Sequence, residues 1–202
     1  MTIVIAIKDT KKKQIIIGSD KRATRGGEVY TCSDKIITLP IKIINGYEEE
    51  VGIKQLYICI SGHMFMSSFL KYGFKPPKMS EQQNFMEYLY EDFLPLLKEL
   101  LHDDNLIEVD NNVSNTESGF IFVFDGEICF VDYRLSVTVL DNDFFVEGSG
   151  REIALGSIYT NLNYHKDMDY KDIVEQAIKT CGNCNCYCDD KVNLKVISYD
   201  WI

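Results

Sequence analysis

The sequence predicts an α+β fold, a four-layer α/β/β/α sandwich of two antiparallel sheets. Blocks of β-branched and aromatic residues alternate with helical patterns, in the order strands, helices, strands, helices. The strands are joined mainly by hairpin signals such as Asn45-Gly46 and Asp125-Gly126, which imply antiparallel pairing. Two sheets, each covered on its outer face by helices, account for all four blocks. We expect residues 1–202 to form a single domain.

The first block of the chain has the composition of strands. Short runs rich in isoleucine and valine are separated by polar, glycine-containing stretches, the longest of which, 18–27, predicts a loop. The predicted strands are 2–8, 14–19, 28–31, 35–39 and 55–60.

The second block is helical. An apolar segment over 64–72 ends before Pro76-Pro77, which cannot continue a helix. Ser80 with Gln83 three residues later has the arrangement of a capping box, and leucine and aromatic residues then recur at helical spacing as far as Leu101. Pro95 is predicted to kink or split this helix.

The second half of the chain repeats the order of strands and helices. Residues 103–118 are rich in Asp, Asn and Ser and predict a surface loop. The predicted strands are 119–124, 127–132, 135–140, 143–147 and 192–199, and the predicted helices are 151–162 and 170–180.

Composition argues against several classes of partner. The formal net charge of −10 repels phosphate backbones, so no nucleic-acid partner is expected. No apolar run reaches the roughly 18 residues needed to span a bilayer, and no signal peptide is recognisable. We therefore expect a cytoplasmic protein without a membrane partner, whose seven cysteines are mostly reduced.

The second residue of the chain, Thr2, suggests chemistry. A small residue at this position leaves Met1 open to removal by methionine aminopeptidase, and the mature chain would then begin with Thr2. Such a residue carries a hydroxyl nucleophile and a free α-amine that can act as its base. The alternative reading is that Thr2 simply begins an edge strand.

Several short motifs occur in the order and near the spacing of one known family. They are Thr2-Ile3-Val4, Ile16 to Thr24, Lys35-Ile36, Ile60-Ser61-Gly62, Asp125-Gly126, Val146 to Gly150 and, in the last long helix, Asp172 to Ile178. Together they resemble the proteasome β-subunit superfamily, most closely the bacterial HslV (ClpQ) threonine peptidases. The resemblance covers nearly the whole length and implies the N-terminal nucleophile hydrolase fold.

The resemblance implies a catalytic role for three residues. Thr2 Oγ would attack the scissile carbonyl, and its own α-amine would accept and return the proton. Lys35 would favour the alkoxide by its positive charge, and Asp20 would hold that lysine charged and oriented. Without the resemblance, Asp20 reads as a turn residue in a surface ion pair and Lys35 as a strand-end lysine.

Four further residues have roles by the same resemblance. The N–H of Gly62 would form the oxyanion hole, and Ser149 would hydrogen-bond around the α-amine. Arg22 would be a structural companion of Asp20, and Asn183 would replace an aspartate that supports the threonine site. By themselves, Gly62 reads as a turn glycine and Ser149 as a helix N-cap.

The chain departs from the family at His63, in the segment from Pro40 to Gln55, and at Asn183, where the family often has an aspartate. His63 stands where a second glycine is usual; we favour a helix-capping role over one in lining the site. The segment from Pro40 to Gln55 is an insertion, either a longer hairpin beside the substrate channel or an oligomer contact. In HslV-type enzymes, backbone carbonyls in the region corresponding to Gly182–Cys184 can hold a monovalent cation; no other cofactor is expected.

A cysteine cluster follows the last predicted helix and is not explained by the resemblance. Its members are Cys181, Cys184, Cys186 and Cys188. Four thiolates could bind zinc, but all four would come from eight residues, whereas structural zinc sites usually draw on two segments. We favour small buried thiols, with Cys184, Cys186 and Cys188 on one face of a strand.

Thr2 and the family resemblance predict a threonine-type endopeptidase, and the resemblance implies that it forms a homo-oligomeric ring. The resemblance implies an ATP-dependent unfoldase as partner and unfolded polypeptide as substrate. Three alternatives stay open: a non-catalytic ring subunit, an N-terminal nucleophile hydrolase acting on small amides, and a metal-binding interaction module built on the cysteine cluster.

Overall fold

A computed structural model of the chain describes residues 2–25, 28–31, 35–103, 107–110, 113–139 and 142–199. The strands are β1 (Ile3–Asp9), β2 (Gln14–Asp20), β3 (Arg22–Arg25), β4 (Glu28–Thr31), β5 (Ile36–Ile44), β6 (Glu50–Ser61), β7 (Met79–Ser80), β8 (Glu108–Asp110), β9 (Val113–Asn115), β10 (Gly119–Phe124), β11 (Glu127–Val131), β12 (Val137–Val139), β13 (Phe144–Gly148) and β14 (Val192–Ser198). The helices are α1 (Met64–Ser68), α2 (Phe85–Tyr88), α3 (Leu94–Asp103), α4 (Arg151–Tyr164) and α5 (Tyr170–Cys184). None of the helices in these ranges is long and apolar enough to cross a bilayer.

The first sheet holds the N-terminal strand in its interior. Its order is β13–β1–β2–β14, and all its neighbouring pairs are antiparallel. Val4 therefore lies opposite Ser19 on one side and Glu147 on the other. Residues 3–6 are wholly buried, because β1 has a strand on each side and apolar layers above and below.

The second sheet has the order β12–β11–β10–β6–β5–β7. Its pairs are antiparallel except for the short edge strand β7, which runs parallel to β5. The prediction of wholly antiparallel sheets was wrong at this point. Strand β7 reaches the sheet through α1 and the Pro76-Pro77 turn, so no tight hairpin fixes its direction.

Alternating side chains divide the apolar residues into three layers. Ile3, Ile5 and Ile7 pack beneath α4 and α5, whereas Val4 and Ala6 point to the opposite face and meet the second sheet. The outer face of the second sheet packs against the segment containing α1 to α3. The predicted four-layer α/β/β/α sandwich is confirmed.

Local details of the first helical block differ from the prediction. The capping box is made by Asn84 and Glu87, whose side chains bond reciprocally to each other's backbone N–H. Ser80 belongs to β7 instead, so the predicted box at Ser80 was wrong. The split near Pro95 is confirmed, because a π-helical turn over Leu89–Phe93 separates α2 from α3.

Two predicted loops contain small hairpins. The segment 18–27 was predicted to be a loop, but β3 within it pairs with β4. The segment 103–118 contains the pair β8 and β9. The insertion from Pro40 to Gln55 extends β5 and β6 into one long hairpin, which turns at Asn45. The pairs β3–β4 and β8–β9 were missed because their short sequences show no apolar alternation. The long hairpin agrees with one of the two alternatives given for the insertion.

Candidate active site

Five predicted site residues lie at strand ends that meet at one edge of the two sheets. Thr2 immediately precedes β1, Asp20 ends β2, and Lys35 immediately precedes β5. Gly62 follows β6, and Ser149 follows β13. Antiparallel pairing places the start of β1 beside the ends of β2 and β13, so the topology brings three of them together.

Asp20 is the buried acceptor at the centre of this edge. Its Oδ1 accepts from Thr2 Oγ1 at 2.7 Å, Lys35 Nζ at 2.6 Å and the backbone N–H of Ile3 at 2.9 Å. Asp20 has no exposed surface, and the Lys35 side chain is only 3% exposed. The hydroxyl of Thr2 and the ammonium of Lys35 are therefore held against one carboxylate oxygen, away from bulk water.

The second oxygen of Asp20 is also fully engaged. Its Oδ2 accepts from the backbone N–H groups of Arg22 and Asp189, each at 3.1 Å. The Arg22 guanidinium reaches over to donate to the carbonyl of Cys186. Both carboxylate oxygens are thus fixed by backbone donors, which orients the oxygen that meets Thr2 and Lys35.

Ser149 lies against the nitrogen of Thr2. The Thr2 N–H donates to Ser149 Oγ at 3.2 Å, and the same hydroxyl donates to the Thr2 carbonyl at 3.2 Å. Gly148 precedes it with φ +108°, and an added Cβ there would lie 2.3 Å from the Thr2 carbonyl oxygen. Only glycine lets the chain turn this closely around the start of β1.

We expect Gly148→Ala to destabilise the fold by about 1–3 kcal/mol, because it adds backbone strain and a clash with Thr2. Gly156→Ala is the matched control, since Gly156 is exposed within α4 and an added Cβ meets nothing within 4 Å. That control should be more stable by about 1 kcal/mol, from helix propensity. Urea unfolding measures both free energies, and equal stability of Gly148→Ala and the parent chain would contradict the expectation.

Gly62 supplies a backbone N–H beside the site. It has φ +125°, and an added Cβ would lie 2.3 Å from the carbonyl oxygen of Glu117. The next N–H, of His63, is taken by Ser118 Oγ at 3.1 Å. The Gly62 N–H makes no hydrogen bond to any residue that the structure describes. It is therefore available as a donor to a developing oxyanion.

Thr2, Lys35 and Gly62 line a cleft of about 910 Å³. Its volume falls within the range of about 300–1,000 Å³ typical of ligand sites. Part of its wall is apolar or small, comprising Ala23, Ile60, Met64 and Phe65. The cleft therefore offers an apolar surface for a substrate side chain next to the Thr2 hydroxyl.

The His63 side chain lines the cleft and does not cap the helix, so the favoured capping role was wrong. His63 occupies the N-cap position of α1, but its side chain makes no capping hydrogen bond. Instead Nε2 lies 2.9 Å from a carboxylate oxygen of Glu117, and both residues line the cleft. More than half of each side chain is exposed, which places this pair at the mouth of the cleft.

Asn183 does not join the other predicted site residues. It is exposed near the end of α5, beside Lys179 and Thr180. Asn185 instead donates from Nδ2 to the carbonyl of Ser149 at 2.9 Å, and the Asp189 N–H donates to Asp20. Sequence reasoning missed Asn185 and Asp189, because a polar turn gives no signal of which site it contacts.

The cysteine cluster is a helix end followed by a turn, so the predicted strand over 184–188 was wrong. Helix α5 continues to Cys184 and the backbone then turns. Cys181 and Cys188 are buried, whereas Cys184 and Cys186 are exposed. Among the described residues, no three His, Cys, Asp or Glu side chains are placed to hold a metal ion.

The region predicted to hold a monovalent cation has the right type of donor. The carbonyls of Gly182–Cys184 lie in the last turn of α5, where helix carbonyls have no intrahelical partner. Gly182 packs directly on the backbone of Asp189 and Asp190, because an added Cβ would lie 2.3 Å from the Asp190 nitrogen. A cation bound to these carbonyls would stabilise the packing of this helix end on Asp189 and Asp190.

Comparison with solved structures identifies the fold. BPH from Thiobacillus denitrificans, in complex with epoxomicin, superposes with a TM-score of 0.74 at 18% identity over 100% of both chains. The eukaryotic HslV from Trypanosoma brucei gives a TM-score of 0.61 at 13% identity, over 98% of this chain and 100% of that one. The chain has the HslV fold.

The likeness to HslV is one of structure. No family model matches the sequence, and the search of curated proteins found no match. BPH without the compound superposes with a TM-score of 0.70 at 17% identity, over 99% of both chains. At these identities the comparison establishes the fold alone, the N-terminal nucleophile hydrolase fold of HslV.

Proposed function

We propose that the chain is a threonine-type endopeptidase subunit with Thr2 as N-terminal nucleophile. The observation that carries the proposal is the shared oxygen of Asp20, which holds the Thr2 hydroxyl and the Lys35 ammonium together in a buried site. Removal of Met1 is part of the proposal, and Met1 lies outside the described residues.

With Met1 removed, the Thr2 nitrogen becomes an α-amine, whose usual pKa of about 7.7–8.0 suits a general base near neutral pH. The amine takes the proton of the Thr2 hydroxyl while Oγ attacks the scissile carbonyl carbon. The Gly62 N–H donates to the resulting oxyanion. The amine then protonates the leaving nitrogen, which leaves an ester on Thr2 Oγ.

Water completes the reaction by hydrolysing this ester. The α-amine now accepts a proton from the attacking water, and the proton returns to Thr2 Oγ as the acid product leaves. Ser149 Oγ, 3.2 Å from the Thr2 nitrogen, keeps that nitrogen oriented through both steps. The Lys35 charge stabilises negative charge on Thr2 Oγ, and Asp20 keeps the lysine in place.

We propose further that the chain acts as a homo-oligomeric ring in the cytoplasm. The shared fold with HslV supports a ring that encloses its active sites, fed with unfolded polypeptide by an ATP-dependent unfoldase. The net charge of −10 disfavours nucleic acid as a partner. Light scattering on the purified chain measures the size of the assembly.

Intact mass and epoxomicin labelling test the nucleophile together. We expect the purified chain to be lighter by one methionine residue and to hydrolyse unstructured peptides. Epoxomicin, the compound bound in the solved BPH complex, should form an adduct that maps to Thr2 and stops hydrolysis. Peptide mapping by mass spectrometry locates the adduct.

Other outcomes would assign the chain differently. Retained Met1 with no hydrolysis, in a ring-sized particle, would contradict the peptidase and support a non-catalytic ring subunit. A monomer that cleaves small amides but not peptides would support an N-terminal nucleophile hydrolase on small substrates.

A further inference from the structure

The turn after α5 is hydrogen-bonded to three residues of the candidate active site. We name residues 185–190 the cysteine turn. Asn185 Nδ2 donates to the Ser149 carbonyl at 2.9 Å, and the Asp189 N–H donates to Asp20 Oδ2 at 3.1 Å. The carbonyl of Cys186 accepts from the Arg22 guanidinium. A movement of this turn would therefore shift Ser149 and Asp20 through these hydrogen bonds.

Two buried thiols lie where the cysteine turn meets the site. An added Cβ at Gly150 would lie 2.8 Å from Cys188 Sγ and 3.1 Å from Cys181 Sγ. The two sulfurs therefore cannot be further apart than the sum of those distances. Both residues have no exposed surface, and both are reduced. Cys181 lies near the end of α5, and Cys188 lies in the cysteine turn.

The thiol pair is connected to the nucleophile through Gly150. Cys181 Sγ donates to the Gly150 carbonyl at 3.3 Å, and the Gly150 N–H donates to the Thr2 carbonyl at 3.4 Å. Burial raises the pKa of the Cys188 thiol, and the Ser149 hydroxyl partly offsets that rise. Both cysteines thus lie next to the residues that contact the start of β1.

Among the described residues the pair has no third ligand with which to hold a metal ion. Burial raises the pKa of Cys181 to about 12, so its thiolate is scarce and its direct reaction with a reagent in solution is slow. Cys184 and Cys186 are exposed and lie three and five residues after Cys181. They are accessible to a reagent in solution. They are also near enough in sequence for a mixed disulfide formed on them to exchange with the buried thiols.

We propose that Cys181 and Cys188 are a covalent modification site, which a low-molecular-weight disulfide converts to a disulfide that inactivates the threonine site. The effect on activity rests on the proposed peptidase function. The reagent first exchanges with Cys184 or Cys186, and internal exchange moves the bond to the buried pair. In total, two chain thiols lose two protons and two electrons, and one disulfide RSSR becomes two thiols RSH.

A bond between the two sulfurs holds them about 2 Å apart and so draws the cysteine turn toward α5. This movement is the inactivating change, because loss of the Cys181 S–H alone removes only one hydrogen bond to the Gly150 carbonyl. Ser149 and Asp20 both take hydrogen bonds from that turn, so they shift relative to Thr2. A displacement of about 1 Å in such a site can cost about 10²-fold in rate, so we expect at least about a tenfold loss.

Glutathione redox mixtures test the site on the full-length chain. The protein is equilibrated at increasing ratios of oxidised to reduced glutathione, free thiols are alkylated, and peptide mapping identifies the disulfide. We expect a Cys181–Cys188 bond to appear as hydrolysis falls, and reduction to restore hydrolysis. Cys188→Ala and Cys181→Ala should both resist inactivation; the second variant covers the case in which the first fails to fold.

A matched control uses the exposed cysteines of the same segment. Cys184→Ser combined with Cys186→Ser should form the Cys181–Cys188 bond to the same final extent, but more slowly. Glutathione attached only to Cys184 or Cys186, with no Cys181–Cys188 bond at any ratio, would overturn the proposal. So would a complete Cys181–Cys188 bond in an enzyme that keeps full activity.

A separate readout distinguishes this proposal from the peptidase function. If the reduced chain hydrolyses nothing, the proposed function fails while the thiol site is still judged on its structure. In that case the disulfide should form and change amide hydrogen exchange in the cysteine turn and at Asp20. Unchanged exchange in both segments would overturn the coupling between the thiols and the site.

Discussion

Thr2→Ala is expected to lower kcat/KM for peptide hydrolysis by at least about 10³-fold, because the variant lacks the attacking oxygen. The fold should survive, since the hydroxyl contributes one of several hydrogen bonds to Asp20. Peptide hydrolysis, with the free energy of unfolding measured in parallel, checks both parts.

Thr2→Ser is the matched variant for this experiment. It keeps a hydroxyl within reach of Asp20 and, once Met1 is removed, an α-amine, so it should retain measurable hydrolysis and epoxomicin labelling. Loss of activity in Thr2→Ser with intact Met1 removal would point to positioning by the threonine methyl group. Full activity in Thr2→Ala would rule out Thr2 as the nucleophile.

Lys35→Met is expected to have the second large effect, on stability as well as on rate. It leaves the Asp20 carboxylate buried without its cation, and breaking a buried ion pair in this way costs about 3–5 kcal/mol. Hydrolysis should fall with it, because negative charge on Thr2 Oγ loses its neighbouring positive charge. Chemical denaturation and peptide hydrolysis measure the two effects separately.

The exposed pair Lys42–Glu50 provides the control. Its side chains are 55% and 41% exposed, so Lys42→Met should change the free energy of unfolding by less than about 1 kcal/mol. Asp20→Asn in the Lys35→Met background should recover part of the lost stability, because no buried charge remains. A Lys35→Met variant as stable as Lys42→Met would show that the buried pair contributes little.

The sequence predicted most of the architecture because local chemistry decides it. Asp125-Gly126 forms the tight turn between β10 and β11, with positive φ at both residues, and Pro95 lies at the split between α2 and α3. The parallel direction of β7 was not predictable, since it depends on where a two-residue strand meets β5.

The candidate site was predictable only in part. Thr2, Asp20 and Ser149, whose roles the family resemblance implied, lie together because β1 pairs with both β2 and β13. The contribution of Asn185 and Asp189 depends on how the turn after α5 folds back, which no periodicity records. The cysteines were misassigned for the same reason, because alternation was read into a segment that is a turn.

If Met1 is removed, as we propose, the burial of Thr2 requires an order of events during biosynthesis. Thr2 is 3% exposed, and it immediately precedes an interior strand of the first sheet. An aminopeptidase needs an extended, accessible N-terminus, which this residue offers only before β1 is enclosed by β2 and β13. We therefore expect maturation to compete with folding on the nascent chain, so that a molecule which folds first stays permanently blocked.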